Sequence, residues 1–198
     1  MYKRQGVDSH INIARKVDIG DEVGIGIGTK IFTHGAYLSA YDGFPVQWGD
    51  VVIGNNVWLP HAWVNPSVVI GDNVVVSAMS LVNRNLPSGC LAGGIPAKIL
   101  HEDIYPRELI EPWIHTAHIL EDTRKILGLE SKYPAFEEVF PDNDTVIKVS
   151  WEHNTFFNLD KRTINGQVNK YTRVFKNQLR RNGIRFRYKE ENGEYVPW

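Results

Sequence analysis

The chain has 198 residues, a net charge of −1, and 42% hydrophobic against 23% charged residues. That length allows one ordinary domain, or one domain with a small appendage, and the composition excludes a disordered or low-complexity protein. No apolar stretch approaches the roughly 20 residues of a membrane-spanning helix, and a single cysteine, Cys90, excludes an intrachain disulfide framework or a thiolate metal cluster.

Met1 to Gln5 lack the apolar core of a secretory signal, which with the lone thiol points to a soluble, cytoplasmic protein. The same five residues fit none of the patterns that follow and read as foreign to them. Their removal is expected to leave melting and activity unchanged.

From Val7 onward an internal repeat dominates. Val7, Ile13, Ile19, Ile25 and Ile31 recur every six residues, and Ile11, Val17, Val23 and Thr29 form a second register four residues after the first four of these. After an interruption the pattern resumes at Ile53, Leu59, Val64, Ile70, Val76 and Val82, with Gly20, Gly26, Gly54 and Gly71 directly after aliphatic positions. A period of six fits neither a plain amphipathic strand nor a helix. It fits short flat strands joined by tight corners, one aliphatic side chain per unit pointing inward and Gly, Asn or Asp relieving the corners. Between Leu59 and Val64 the spacing is five, so one corner is a residue short, with Pro60 inside it.

These two repeat blocks, a single excursion between them and the closing run Gly93 to Leu100 resemble the hexapeptide-repeat acyltransferases, of the maltose, galactoside and polysaccharide O-acetyltransferase type. The resemblance covers about residues 7–100. It implies a mainly β protein, a left-handed parallel β-helix with three units per coil, here with a C-terminal helix and a small α+β appendage. The expected division is 6–100 for the β-helix, with the loop excursion at 34–50, then 101–144 as a helical acidic connector and 145–198 as the appendage.

The excursion, Thr33 to Asp50, is rich in aromatic and polar groups, and loops on rigid scaffolds are where function tends to sit. By resemblance His34 is the general base. Acyl transfer from a thioester to a hydroxyl needs that hydroxyl deprotonated as it attacks, and imidazole, with an unperturbed pKa of about 6.5, suits the task. Asp42 is a candidate to orient the ring or meet an acceptor hydroxyl. Trp58 matches a position that often lines the acceptor pocket, and His61 is a candidate for acceptor contact or oxyanion help. Trp48, Trp63, Tyr37, Tyr41 and Phe44 could cover the apolar faces of a sugar or simply pack the loop.

For the donor the resemblance implies acetyl-CoA as co-substrate, with no metal. Ala78 and Ser80 match small residues past which the pantetheine arm runs. Asn83 and Arg84 match a polar and basic pair near the nucleotide, and Gly94, Pro96 and Lys98 belong to the closing signature. Arg84 and Lys98 can meet phosphates, although glycine and proline there could equally just turn the chain off the helix. The family's sites lie between neighbouring subunits, which implies a homotrimer.

Residues 101–144 are acidic. Trp113, Ala117 and Leu120 at helical spacing, then Ile126 and Leu127, predict a helix near 107–128 that packs on the open end of the β-helix, followed by a linker marked by Pro134 and Pro141. Thr145 to Trp151 reads as a strand, Thr155 to Ile164 as a hairpin, 167–182 as an amphipathic helix stopped at Gly183, and Ile184 to Lys189 as a closing strand. From Lys161 to Lys189 there are ten basic residues and no acidic one. No nucleic-acid motif accompanies them, so the acidic connector or an anionic substrate is the expected counterpart.

The sequence thus predicts an acyl-CoA-dependent O-acyltransferase acting on a sugar hydroxyl of a surface polysaccharide or related glycan. An N-acetyltransferase acting on an amino sugar or xenobiotic amine is one alternative, and a non-catalytic trimeric scaffold or binding protein another. Direct attack needs no covalent enzyme intermediate, so Cys90 is expected to be dispensable.

Overall fold

The computed structural model describes residues 3–107, 112–129, 135–139, 141 and 144–197. Pro134 and the side chain of Trp113 lie outside the described residues. The chain forms two compact units, Met1–Glu108 and Leu109–Trp198.

The first unit is a parallel β-helix, as the resemblance implies. Its strands of two to four residues stack into three sheets, one per face. The first face runs Lys3–Gln5, Val23–Ile25, Trp58–Leu59, Val75–Val76, Leu91–Gly94, the second His10–Ile11, Lys30–Ile31, Ala62–Val64, Ser80–Val82, and the third Val17–Ile19, Val51–Ile53, Val69–Ile70. Every pairing among these is parallel. Inward aliphatic side chains stack in columns such as Ile19, Ile53, Ile70 and Ile31, Val64, Val82, and almost all are buried. The strand Ala97–His101 turns back antiparallel on Leu91–Gly94 and covers the last parallel edge, where an open row of backbone groups would otherwise invite pairing with another chain.

One corner shows why the motif Ile-Gly-Asn/Asp-Asn recurs. The Asn55 carboxamide oxygen accepts the Asp21 N–H at 2.8 Å, the Asp72 carboxylate accepts the Asn55 N–H at 2.6 Å, and the Ser88 hydroxyl accepts the Asp72 N–H at 3.0 Å. Corner donors that no strand partner reaches are thereby satisfied.

The repeat departs from period six in two places. Ile11 pairs with Ile31, twenty residues on, whereas three six-residue units would place Ile13 there. Two extra residues therefore enter the corner between Ile11 and Val17, so Ile11 is packed against the core while Val7 and Ile13 are 69% and 79% exposed. At the shortened corner, Trp58 pairs with Val75 seventeen residues on, but Ala62 pairs with Ser80 eighteen on. The buried Thr29 hydroxyl bridges that corner, donating to the Leu59 carbonyl at 3.0 Å and accepting from the Ala62 N–H at 3.3 Å. Gly26 lies against the Pro60 backbone, where a Cβ would overlap the carbonyl. The N-terminal residues are not foreign to the fold: Lys3–Gln5 pairs in parallel with Val23–Ile25, since backbone pairing asks nothing of the side chains.

The second unit is an antiparallel sheet with two helices. Its strand order is Ala135–Val139, Val146–Trp151, His153–Asn158, Thr163–Gln167, Glu194–Pro197, Tyr188–Glu191. Helix α1, Pro112–Leu127, packs against helix α2, Lys170–Arg181, rather than serving as a separate connector. The expected linker contains the strand Ala135–Val139, and the closing strand is a hairpin instead. Asn192 and Gly193, at φ 50° and 82°, make its two-residue turn, a geometry that Asn-Gly adopts cheaply. Asn169 caps α2 by accepting from the Tyr171 and Thr172 N–H groups, while the Thr172 hydroxyl accepts from the Asn169 N–H. Phe157, Phe175, Leu179 and Tyr195 centre the core, Phe157 and Phe175 meeting edge to face at 4.9 Å. Part of the basic run is paired: Lys161 with Asp144, and Lys176 and Arg173 with Glu190.

Candidate functional site

His34 begins the excursion immediately above the enlarged corner. The strand His34–Gly35 pairs antiparallel with Gln47–Trp48, closing the loop root, and the Gly49 N–H donates to the Thr33 carbonyl at 3.1 Å. The extra corner residues bring Asn12 under the imidazole, its carboxamide oxygen 2.9 Å from His34 Nδ1. That oxygen also accepts from the Ala14 N–H at 3.2 Å and lies 2.6 Å from the Thr33 hydroxyl, so it is the acceptor and Nδ1 carries the proton. Nε2 is left with its lone pair free to receive one.

Asn12 is the residue that sequence reasoning missed. The signal was present: the two hexad registers disagree at Ile11 and Ile13, which marks a corner of unusual length. Asn12→Ala is expected to lower turnover about 10²-fold at similar KM and melting temperature, since a small misplacement of a reacting group costs that much. Full retention of turnover would remove Asn12 from the positioning role.

Around His34, Trp48 stacks on the imidazole with centroids 4.9 Å apart and planes at 21°. The Arg15 guanidinium lies over the Trp48 ring at 5.7 Å, and the Arg15 N–H is held by the Thr33 hydroxyl at 3.1 Å. Beside them a cavity of about 400 Å³ is lined by Gly35, Tyr37, Leu38, Phe44, Pro45 and Gln47. Asp42 ends a one-turn 3-10 segment, Ala40–Asp42, on the exposed part of the loop, and the bond its side chain was expected to make to His34 is made by Asn12. Trp58 stands half-exposed on the first face, whereas the excursion leaves the second. Trp63 is the tryptophan of the second face, meeting Phe32 edge to face at 5.9 Å.

A second cavity, about 370 Å³, lies along the second face, lined by His61, Trp63, Met79, Ser80, Leu81 and Ile95. Its lining is mostly apolar. The Ser80 hydroxyl donates to the Ser77 carbonyl at 2.7 Å and accepts from the Gly94 N–H at 3.0 Å, so Ser80 ties the closing hairpin to the coil as well as lining the cavity. Ile95 and Pro96 form the two-residue tip of that hairpin, between Gly94 and Ala97, with Lys98 exposed just beyond. Ala78, Asn83 and Arg84 are also exposed. Cys90 is fully buried, and burial pushes its thiol above the usual range. A thiol reagent should label Cys90 only in unfolded chain, and Cys90→Ala should retain acyl transfer; labelling of the folded protein coupled to loss of activity would contradict this.

No protein-family model matches the chain. Over 53 residues it is 43% identical to a galactoside O-acetyltransferase of Escherichia coli K12, covering 26% of each protein. Over 113 residues it is 33% identical to a chloramphenicol acetyltransferase of Morganella morganii, covering 51% of this chain and 53% of that one. The chain spans about half the length, or less, of these curated relatives. Among solved structures, a galactoside acetyltransferase in complex with coenzyme A is 29% identical with a TM-score of 0.44, over 50% of this chain and 55% of that one. A hexapeptide-repeat-containing acetyltransferase of Vibrio cholerae complexed with acetyl coenzyme A is 26% identical with a TM-score of 0.43, over 50% and 67%. The relatives of this chain are hexapeptide-repeat acetyltransferases.

Proposed function

We propose that the protein transfers an acetyl group from acetyl-CoA to a hydroxyl of a saccharide. The observation that carries this reading is the Asn12–His34 bond, which leaves Nε2 as the free base at the root of an aromatic-lined loop. In the proposed reaction Nε2 takes the proton of the acceptor hydroxyl as its oxygen attacks the thioester carbonyl. The C–O bond forms, the C–S bond breaks, and the imidazolium returns the proton to the departing thiolate. The mostly apolar cavity of the second face, between Ser80 and Ile95, fits the uncharged pantetheine arm, with Asn83, Arg84 and Lys98 exposed for the nucleotide phosphates. In this reading the cavity beside His34 holds the acceptor, and His61, which lines the other cavity, is a candidate to assist at the carbonyl. Trp58, on another face, would serve a site only across a contact between copies, in keeping with a homotrimer.

The test is thiol release from acetyl-CoA across sugars, amino sugars and xenobiotic amines, with coenzyme A binding followed by calorimetry. Release dependent on a sugar hydroxyl supports the reading. Release with amines alone shifts it to N-acylation, and neither release nor binding leaves a non-catalytic β-helix.

A further inference from the structure

We propose that the acceptor is anionic and that Arg15 reads its charge. The inference rests on the reading of His34 as the base that receives the acceptor hydroxyl. Two neighbouring cations, Arg15 and Lys16, occupy the enlarged corner below His34, and their situations differ. Lys16 is neutralised, its ammonium 2.7 Å from the Asp18 carboxylate, while its N–H donates to Asp50 at 3.2 Å. Arg15 makes no ion pair among the described residues; its guanidinium lies exposed over Trp48, the ring that stacks on His34.

A guanidinium exposed to solvent and without an ion pair among the described residues has its fork of N–H donors available to meet a carboxylate or phosphate in two parallel bonds. Its backbone is held by the bond from the Arg15 main-chain N–H to the hydroxyl of Thr33, the residue that precedes the base, and its guanidinium lies over the Trp48 ring. A carboxylate on the acceptor sugar, or on the unit next to it, would be held while its hydroxyl lies at Nε2. The aromatic cavity alone would accept neutral and acidic sugars alike, so Arg15 supplies the discrimination. An acidic oligosaccharide, rich in uronic or similar acids, is therefore the substrate class.

The experiment compares a galacturonic acid disaccharide with its methyl ester, which keeps every hydroxyl and loses only the charges. Thiol release from acetyl-CoA is measured for wild type, Arg15→Gln, Arg15→Lys and Lys16→Gln, and direct binding of both sugars is followed by calorimetry. Wild type should prefer the acid at least tenfold in kcat/KM, and raised salt should erode the preference. Arg15→Gln should raise KM for the acid about tenfold with kcat and the ester unaffected, Arg15→Lys should recover part of it, and Lys16→Gln should change nothing. Equal use of acid and ester, or no effect of Arg15→Gln, overturns the proposal. If thiol is released from neither sugar but the acid binds through Arg15, the acyltransfer reading fails while the anion site stands; if neither binds preferentially, the anion site fails too.

Discussion

His34→Ala is expected to lower acceptor-dependent thiol release from acetyl-CoA by about 10²- to 10⁴-fold, the span that a positioned general base contributes. The size follows from geometry. The Asn12 oxygen fixes the proton on Nδ1, Trp48 stacks on the ring at 4.9 Å, and the Gly49 N–H bonded to Thr33 closes the loop root, so the imidazole is oriented before any acceptor arrives. Alanine removes the proposed base and should leave the fold intact, because His34 is only partly buried and fills no position in the hydrophobic core. Coenzyme A binding and the melting temperature should therefore stay near wild type while turnover is lost. Full activity in the variant would move the chemistry away from His34, and loss of melting together with activity would show that the side chain supports the loop instead.

The second large effect is on stability. Ile53 is 1% exposed and stacks between Ile19 and Ile70 in one interior column. Ile53→Asp places a carboxylate in that column with no partner, and the group must remain unpaired or take up a proton at a comparable cost. The expected loss is about 4 kcal/mol or more, whereas Ile53→Val should cost only about 1 kcal/mol. Because coils stack on one another, the damage should spread to the rungs on either side. Urea unfolding of both variants checks this. An aspartate variant as stable as the valine variant would mean that the column admits water at this level.

The β-helix was legible in the sequence because a six-residue period with glycine or asparagine at corners leaves few alternatives, and the columns Ile19, Ile53, Ile70 and Ile31, Val64, Val82 sit where the hexads place them. The excursion and His34 were legible as a break in that period. Asn12 and Arg15 were hidden for a related reason: both hexad registers point inward in a full coil, so a slip of two residues at Ile11 leaves the apolar pattern plausible in either phase, and only strand pairing decides between them. In the second unit local signals named the helix Lys170–Arg181 and the strand Val146–Trp151, while Ala135–Val139 was masked by the prolines around it. The turn Asn192–Gly193 is a strong hairpin signal that reading Ile184 to Lys189 as the closing strand passed over.

The corner formed by Asn55, Asp72 and Ser88 has a bearing on how such a chain tolerates change in length. Each side chain accepts from a backbone N–H of the coil before it, and the N–H groups of Asn55 and Asp72 are served in turn by the coil after, so the choice of residue at one level is a matter between adjacent levels. A complete coil could be added or deleted there, and the new neighbours would meet through the same oxygen-to-amide contact without any fresh solution being required. The corner between Ile11 and Val17 has no such freedom, since its two extra residues answer to the loop above them; the wall of the prism is modular, and the candidate site lies beside one of the places where the module is broken.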